Sequence, residues 1–302
     1  MPLADLLPRA LAGDRSALAR VVSFVEARAP GAAEVLASIA PRRLAGPGAP
    51  HVIGITGPPG AGKSTFVDRL VSHAREAGQR VAVVAVDPSS PFSGGAILGD
   101  RIRMERHTDD EGVYVRSLSA RGSAGGLSRA AGDVIDLLDA AGFDVVLVET
   151  VGVGQGELAI MEVADTVLVV LTPESGDTVQ TMKAGLLEIA DVFCVNKSDR
   201  PGAEHLRRDL ELAVQLDEGS GWKAPVHVAV ATEDRGVTET LASLRAHRDW
   251  FLGEGRAAWA ERRADGRVRA WLDGVAEDAR AAAAKALRGT ATLDEIRAGK
   301  RR

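Results

Sequence analysis

Cysteine, aromatic residues and long apolar runs are all scarce in this chain of 302 residues. The single cysteine, Cys194, excludes an intramolecular disulfide and any cysteine cluster that could hold a metal. No apolar run approaches the ~18 residues that a membrane-spanning helix needs, so we expect no membrane partner. Because only 4% of the residues are aromatic, the core must be built from Val, Leu, Ile and Ala.

A basic surplus is also lacking. The net charge is −5 and no long basic run occurs, which disfavours nucleic acid as a partner. The segment Met1–Arg15 carries acid and proline within its apolar stretch and has no basic start, which is not typical of a signal peptide. Hydrophobic residues make up 45% and charged residues 26%, the balance of a soluble globular protein. These features predict a cytoplasmic protein.

Composition divides the chain into three regions. Residues 1–50 form a predicted N-terminal helical arm, with Asp14 as N-cap of its second helix and the breaker-rich Gly46–Pro50 at its end. Residues 51–251 alternate short β-branched runs with longer helical patterns and form the predicted nucleotide-binding domain. Residues 252–302, rich in Ala and Arg, form a predicted C-terminal helical arm.

The C-terminal arm carries an apolar helical stripe between Val268 and Val275. Trp250, Trp259 and Trp271 lie in or next to this arm, although the chain has few aromatic residues. The stripe either packs the arm onto the core, as most helix stripes do, or buries it against a second subunit.

Seven continuous apolar runs predict strands that are buried on both faces. Gly, Pro and Asp bound nearly all of them, and such strands are typical of a mainly parallel sheet covered by helices, an α/β fold. The runs are His51–Thr56, Arg80–Val86, Val113–Leu118, Asp144–Glu149, Thr166–Leu171, Asp191–Asn196 and Val226–Val230.

A glycine-rich loop follows the first of these strands. Its sequence is Gly57-Pro58-Pro59-Gly60-Ala61-Gly62-Lys63-Ser64-Thr65, the G-x-x-x-x-G-K-S motif between a strand and a helix. The glycines allow backbone N–H groups to surround phosphates, and the helix start adds its positive dipole end. Lys63 is predicted to reach the β- and γ-phosphates and Ser64 to bind Mg²⁺. The sequence therefore predicts a P-loop.

The nucleotide base is selected by a second motif, Asn196-Lys197-Ser198-Asp199, directly after a late strand. The Asp199 carboxylate can accept hydrogen bonds from the guanine N1–H and 2-amino group, whereas adenine offers no such pair of donors. Val230-Ala231-Thr232 follows the last strand, where a loop backbone could close over the base. The sequence thus predicts a GTPase that binds GTP and GDP.

Glu149 ends another strand and is followed by Thr150-Val151-Gly152. An acid at that strand end is expected to contact Mg²⁺ through water, and the Gly152 N–H is placed to sense the γ-phosphate. Gln155 lies two residues beyond the usual position of a water-orienting glutamine, so no catalytic role is assigned to it.

Two further carboxylates are candidates for the metal or the attacking water. Asp87 ends the strand that neighbours the P-loop strand, at the edge where ligands bind in such sheets; an aspartate before proline is otherwise typical of a turn or a cap. Asp100 follows the glycine-rich segment Ser93–Gly99, which suits a switch that becomes ordered on nucleotide binding.

Taken together, four stretches resemble the MeaB/ArgK family of GTPases. They are Gly57–Thr65, Asp87–Met104, Glu149–Gln155 and Asn196–Asp199. The likeness covers the core and the N-terminal arm, and the C-terminal arm matches in character rather than in motif. One departure is Gly156, where many relatives carry Ser, so a side-chain role at that position is in doubt.

The resemblance implies a SIMIBI-class P-loop GTPase that forms a homodimer. Members of the family act as chaperones for adenosylcobalamin-dependent acyl-CoA mutases, methylmalonyl-CoA mutase above all. They gate cofactor delivery by a cobalamin adenosyltransferase and protect or restore the mutase. By resemblance, Asp87, Asp100 and Glu149 are switch carboxylates around Mg²⁺, and Thr172–Lys183 is a third switch. From the residues alone, Thr172–Lys183 is predicted to be a loop that opens a helix capped by Asp177.

The predicted chemistry is phosphoryl transfer to water. Lys63 and Mg²⁺, held by Ser64 and the carboxylates, stabilise charge on the transferring group while water attacks in line. No arginine finger is assigned, since Arg101 and Arg103 are more typical of solvated or salt-bridged residues. Slow intrinsic turnover that a partner accelerates is therefore expected.

Three other functions are compatible with a phosphate-binding loop. A nickel metallochaperone of this fold needs His or Cys clusters, whereas the six histidines here are scattered. A small-molecule kinase or transport-linked ATPase would use ATP, against which Asp199 argues. A pure binding module would bind GTP and show no hydrolysis with any partner.

Overall fold

One parallel sheet lies at the centre of the protein, for which a computed structural model describes residues 3–39, 48–88, 105–107, 109–120, 124–150, 163–175, 189–216 and 221–255, with the single positions 257 and 279. Its strands are β1 His51–Thr56, β2 Val81–Pro88, β3 Val113–Ala120, β4 Val145–Thr150, β5 Thr166–Leu171, β6 Val192–Val195 and β7 Val226–Val228. The spatial order is β3-β2-β4-β1-β5-β6-β7, and neighbouring strands pair in parallel. The predicted α/β fold is confirmed.

Helices cover both faces of this sheet. They are α1 Leu3–Leu11, α2 Arg15–Glu26, α3 Ala32–Ser38, α4 Lys63–Glu76, α5 Ala124–Ala140, α6 Ala203–Leu216 and α7 Val237–Leu252. Alternate residues of each strand point to opposite faces, which gives two apolar clusters. One cluster joins the sheet to α1, α2, α5 and α6, and the other joins it to α4 and α7. None of the helices in the described part of the chain is long and apolar enough to cross a membrane.

The predicted N-cap of the second helix is confirmed. Asp14 precedes α2 in an extended conformation, and its carboxylate accepts a hydrogen bond from the Ala17 N–H at 3.0 Å. This N–H, with the guanidinium of Arg9, holds the pKa of Asp14 below its usual value. The cap starts a helix whose buried residues Leu18 and Val21 join the core beneath the sheet.

One prediction about strand order is wrong. Asp87 lies near the carboxyl end of β2, which the sequence predicts to neighbour the P-loop strand β1. Instead β4 pairs with both β1 and β2 and separates them. Two inter-strand spacings amount to roughly 10 Å. The expectation failed because the crossover through α4 skips one strand position, and strands that are consecutive in the sequence need not be neighbours in a sheet.

Polar side chains are buried at the edge where the strands begin. His51 Nε2 lies 2.8 Å from Thr166 Oγ1, which lies 2.9 Å from His247 Nδ1. The Trp250 ring stacks on His247, with 5.6 Å between the ring centroids. Burial, helped by the positive charge of Arg248, holds the pKa of His51 well below its usual value. The His51 ring is therefore neutral near pH 7 and belongs to the core.

The C-terminal arm lies mainly outside the described residues. Helix α7 ends at Leu252, and few positions beyond it are described. Trp259 and Trp271 are not among them. Both interpretations of the apolar stripe therefore stay predictions.

The N-terminal helices share one apolar core with the sheet, which leads to a testable prediction. Leu18 is 3% exposed and packs in the cluster beneath the sheet, so Leu18→Ala should lower the free energy of unfolding by about 2–5 kcal/mol. Leu212→Ala is the matched control, because Leu212 is 60% exposed and its loss should change stability by less than about 0.5 kcal/mol.

Urea unfolding followed by circular dichroism and by tryptophan fluorescence checks this. All four tryptophans lie C-terminal to α5, so coincident transitions mean that the helices and the sheet unfold together. Equal losses in the two variants, or an early separate transition of Leu18→Ala, would contradict a shared core.

Candidate functional site

Three loops and the end of one strand lie at the carboxyl edge of the sheet. The segment 57–62 follows β1, Glu149 lies near the end of β4, the segment 196–199 follows β6, and the segment 230–232 follows β7. Because all these strands are parallel, their carboxyl ends lie along one edge, where ligands bind in open α/β sheets. The sequence motifs thus converge on one site.

Backbone conformation requires glycine at two positions of the loop after β1. Gly57 has φ +137° and Gly62 has φ +89°. A Cβ on Gly57 would lie 2.0 Å from the Val170 carbonyl oxygen, and a Cβ on Gly62 would lie 2.4 Å from Asn196 Nδ2. Both distances are far shorter than van der Waals contact. The loop can therefore pass this close to β5 and to Asn196 only because positions 57 and 62 carry no side chain.

Lys63 begins α4 and points back into the loop. Its Nζ donates to the carbonyl oxygens of Gly57 at 2.8 Å and Pro58 at 3.1 Å, and the residue is 6% exposed. A buried ammonium held at the start of a helix adds its charge to the positive end of the helix dipole. The loop can therefore bind a group with several negative charges.

Ser64 and Glu149 lie together beside this loop. The Ser64 hydroxyl donates to Glu149 Oε1 at 2.6 Å, and Glu149 is 6% exposed. A hydroxyl and a carboxylate present the oxygen ligands that Mg²⁺ prefers. Groups of three or more His, Cys, Asp or Glu that could hold a metal do not occur among the described residues. Mg²⁺ at a phosphate site needs no such group, because phosphates and waters complete its shell. The two side chains therefore fit Mg²⁺.

The side chain of Asn196 connects two parts of the site. Its Nδ2 donates to the Ala61 carbonyl at 2.9 Å, and its Oδ1 accepts from the Ala231 N–H at 3.0 Å. The residue is 3% exposed. A buried amide that makes both bonds fixes the glycine-rich loop relative to the loop after β7.

Lys197 and Asp199 have different surroundings. Lys197 is left-handed at φ +57°, and its Nζ donates to the Gly60 carbonyl at 2.7 Å. Asp199 is exposed at the outer end of the same loop. The Ser198 N–H donates to the Ala229 carbonyl at 2.9 Å, which holds this loop against β7. The backbone next to Asp199 is thus held in place, while the Asp199 side chain is exposed to solvent.

An ion pair joins this loop to the predicted third switch. Arg200 Nη1 donates to Glu174 Oε1 at 2.6 Å, and the Arg200 guanidinium holds the pKa of Glu174 down at about 2. Glu174 belongs to the short 3₁₀ turn Pro173–Ser175. Residues 176–183 of the predicted switch lie outside the described residues.

Several predicted site residues are not described by the structure. Asp100 and Gly152 lie outside the described residues. The same holds for Gln155, Arg101 and Arg103, to which no catalytic role is assigned. The backbone of Asp87 pairs with Ser119 of β3, but its side chain is outside the described part. The roles of Asp87, Asp100 and Gly152 stay predictions.

Arg69 of α4 is a residue that the motifs missed. Its Nε and Nη2 donate to the carbonyl oxygens of Ala231 and Thr232, each at 2.9 Å. The available signal was a basic residue on an amphipathic helix, between Phe66 and Leu70, and basic residues are common on the solvated faces of such helices. Only the fold shows that this face meets the loop after β7.

Comparisons with known proteins found relatives that are named as GTPases. The family model described as "Methylmalonyl Co-A mutase-associated GTPase MeaB" matches residues 18–287. A relative from Pyrococcus horikoshii that is named as a GTPase is 49% identical over 261 residues, which cover 85% of this chain and 81% of the relative. A Mus musculus protein named "Methylmalonic aciduria type A homolog, mitochondrial" is 34% identical over 86% of this chain and 66% of its own length. A solved structure of a protein named "LAO/AO transport system kinase" is similar with a TM-score of 0.71 at 29% identity, over 91% of this chain and 83% of that one.

The Asn196 bridge leads to a testable prediction. Asn196→Ala removes the hydrogen bonds to Ala61 and Ala231 in a buried site, so it should lower the free energy of unfolding by about 1–3 kcal/mol. Asp199→Ala, an exposed change three residues away, should alter stability by less than about 0.5 kcal/mol. Urea unfolding measures both. Equal stability of the Asn196→Ala protein and the parent would show that the bridge does not hold the loops together.

Proposed function

Because the chain belongs to the MeaB family of methylmalonyl Co-A mutase-associated GTPases, we propose that it serves as a G-protein chaperone of an adenosylcobalamin-dependent acyl-CoA mutase, with methylmalonyl-CoA mutase as the favoured partner. In this role GTP hydrolysis gates cofactor loading and protects or reactivates the mutase. The observation that carries the proposal is a P-loop and a guanine motif held in one site by Asn196. The name of the family supports the choice of partner.

The protein is a P-loop GTPase that hydrolyses GTP to GDP and phosphate. For the site itself, we propose that backbone N–H groups of the loop from Gly57 to Thr65 surround the phosphates and that Lys63 neutralises charge on them. The Gly152 N–H, predicted to sense the γ-phosphate, is part of this proposal. Positioning and charge neutralisation are the main needs of phosphoryl transfer.

We propose that Ser64 and Glu149 hold Mg²⁺, with Asp87 and Asp100 as further carboxylates. Mg²⁺ held there would supply positive charge that stabilises the charge developing on the phosphoryl group. The short contact between Ser64 Oγ and Glu149 Oε1 keeps both oxygens beside the P-loop. Because Glu149 is buried there, little bulk water surrounds the position, which suits attack on the phosphoryl group by one ordered water.

Guanine recognition is assigned to the exposed carboxylate of Asp199 and to the backbone of Val230, Ala231 and Thr232. Two parallel hydrogen bonds from N1–H and the 2-amino group to one carboxylate reject adenine, because adenine leaves the acceptor unpaired. Lys197 and Asn196 hold the P-loop against this motif, so phosphates and base are bound on a common frame.

The proposed partners go beyond the mutase. A cobalamin adenosyltransferase is the proposed source of the cofactor, and a homodimer is the proposed assembly, as the family resemblance implies. A cytoplasmic location is part of the same proposal. The mouse relative's name, which refers to methylmalonic aciduria, supports a link to methylmalonyl-CoA metabolism.

A small-molecule kinase is the second candidate, and one finding favours it. The similar solved structure is that of a protein named as a transport system kinase. A kinase of this type would prefer ATP and leave a phosphorylated acceptor. The carboxylate of Asp199 in the Asn196–Asp199 motif favours GTP instead, so nucleotide preference separates the two candidates.

Exchange of one carboxylate for an amide tests the base assignment. Asp199→Asn should weaken GDP binding at least about 10-fold, because a charged acceptor of two hydrogen bonds is lost. The same change should improve binding of xanthosine diphosphate, since xanthine carries a carbonyl where guanine has its amino group. Calorimetry with both nucleotides and with ADP measures this. Asp209→Asn on the exposed face of α6 is the control. Unchanged preference in Asp199→Asn, or tighter ADP than GDP binding by the parent protein, would sink the assignment.

The chaperone role predicts partner-dependent hydrolysis. The isolated protein should turn over GTP far below the roughly 1–10³ s⁻¹ of typical enzymes, and purified methylmalonyl-CoA mutase should accelerate it. Pull-down of acyl-CoA mutases in the GTP-bound, GDP-bound and nucleotide-free states identifies the partner. Fast hydrolysis with no response to any mutase, and no capture in any state, would contradict the role.

A further inference from the structure

The loop after β7 is held by side chains of the same helix that starts in the P-loop. Arg69 lies on α4, six residues after Lys63, and its guanidinium donates two hydrogen bonds, to Ala231 O and Thr232 O. Arginine presents its donors in a rigid fork, so two such bonds fix position and orientation together. One face of α4 thus binds the loop through hydrogen bonds from the Arg69 side chain to the loop backbone.

Ala231 is held from both sides. Its N–H donates to Asn196 Oδ1 at 3.0 Å, and its carbonyl accepts from Arg69 Nε at 2.9 Å. Ala231 is 2% exposed, whereas Thr232 is exposed. The buried half of the loop is therefore fixed by two side chains, and its outer half projects from that anchor.

A second contact holds the far end of the loop. His73 lies one helical turn after Arg69, on the same face of α4, and its Nε2 lies 3.0 Å from both carboxylate oxygens of Asp234. Asp234 is left-handed at φ +59°. The loop from Ala231 to Asp234 is thus anchored to α4 at each end.

Anchoring of this kind lowers the entropic cost of ordering the loop when a nucleotide base binds. Loops on a protein surface are more mobile than the elements they connect, and a binding group that moves loses affinity to ordering entropy. Because α4 begins with Lys63 in the phosphate site, one rigid helix sets the distance between the phosphate site and the base-binding loop. Its rise from Lys63 to Arg69 is roughly 9 Å.

We propose that Arg69 is a positioning residue for guanine selection, which it exerts by fixing the backbone of Ala231 and Thr232 over the base. This inference rests on the proposed function, since it assumes that the 230–232 loop closes on guanine. Both hydrogen bonds of the guanidinium go to this loop and not to the P-loop. Arg69 therefore contributes to base recognition and leaves phosphate recognition to Lys63.

Binding of a diphosphate with and without its base separates these contributions. The Arg69→Met protein keeps the length of the side chain and loses its donors. It should bind GDP about 10-fold or more weakly, with the preference for GDP over ADP reduced by a similar factor and inorganic pyrophosphate bound as in the parent. The Arg69→Lys protein keeps the charge and a single donor group. Its affinity for GDP should lie between that of the parent and that of Arg69→Met. Calorimetry with GDP, ADP and pyrophosphate measures all three affinities.

Arg75→Met is the matched control on the same helix. Arg75 also makes two hydrogen bonds, to Asp110 Oδ2 at 2.8 Å and to the Gln79 carbonyl at 2.7 Å, but it contacts no part of the 230–234 loop in these bonds. Its loss should leave the GDP preference unchanged. The inference is overturned if Arg69→Met binds GDP like the parent, if it loses pyrophosphate affinity in proportion, or if Arg75→Met shows the same loss.

Two further outcomes are decisive. If Arg69→Met does not fold, Arg69→Lys decides the matter: weaker GDP binding with unchanged pyrophosphate binding supports the inference, and unchanged GDP binding overturns it. If the parent protein itself shows no preference for GDP over ADP, the proposed function fails and this inference fails with it. A selective parent with a selective Arg69→Met variant removes this inference alone.

Discussion

The buried amide of Asn196 is the constraint on which the site depends. It spans the gap between Ala61 of the P-loop and Ala231 beyond the last strand, two segments that the backbone alone would leave independent. The same amide occupies the space that a side chain on Gly62 would need. The Asn196 amide therefore fixes the distance between the two loops, and it also explains why position 62 is glycine.

The sequence predicted most of what is local. The strand His51–Thr56 and the strand Thr166–Leu171 have the predicted bounds, because a buried parallel strand leaves a continuous apolar signature that ends at turn residues. The P-loop and the Asn196–Asp199 motif were found for the same reason, since each is a short run attached to one strand. Asp14 was found through its residue type and its position before an apolar helix.

What the sequence did not reveal depends on contacts between distant segments. The prediction that β2 neighbours β1 was wrong for this reason. Residues 80–88 carry no signal that β4 lies between the two strands. Arg69 is a clearer case, because its partners are 162 and 163 residues away and are backbone carbonyls, which carry no residue signature. A residue that acts only on distant backbone carbonyls, as Arg69 does, therefore leaves no motif in the sequence.

The central position of β1 bears on how the protein is made. Its partners are residues 145–149 of β4 and 166–169 of β5, so β1, the first strand of the described residues, leaves the ribosome long before either partner is made. Pairing between such distant segments is slow and leaves apolar strands exposed in the meantime. A truncated chain that ends before β5 would carry the complete P-loop sequence and β4, and would still lack the second partner strand of β1. Until β5 has emerged from the ribosome, one edge of β1 therefore has no strand to pair with.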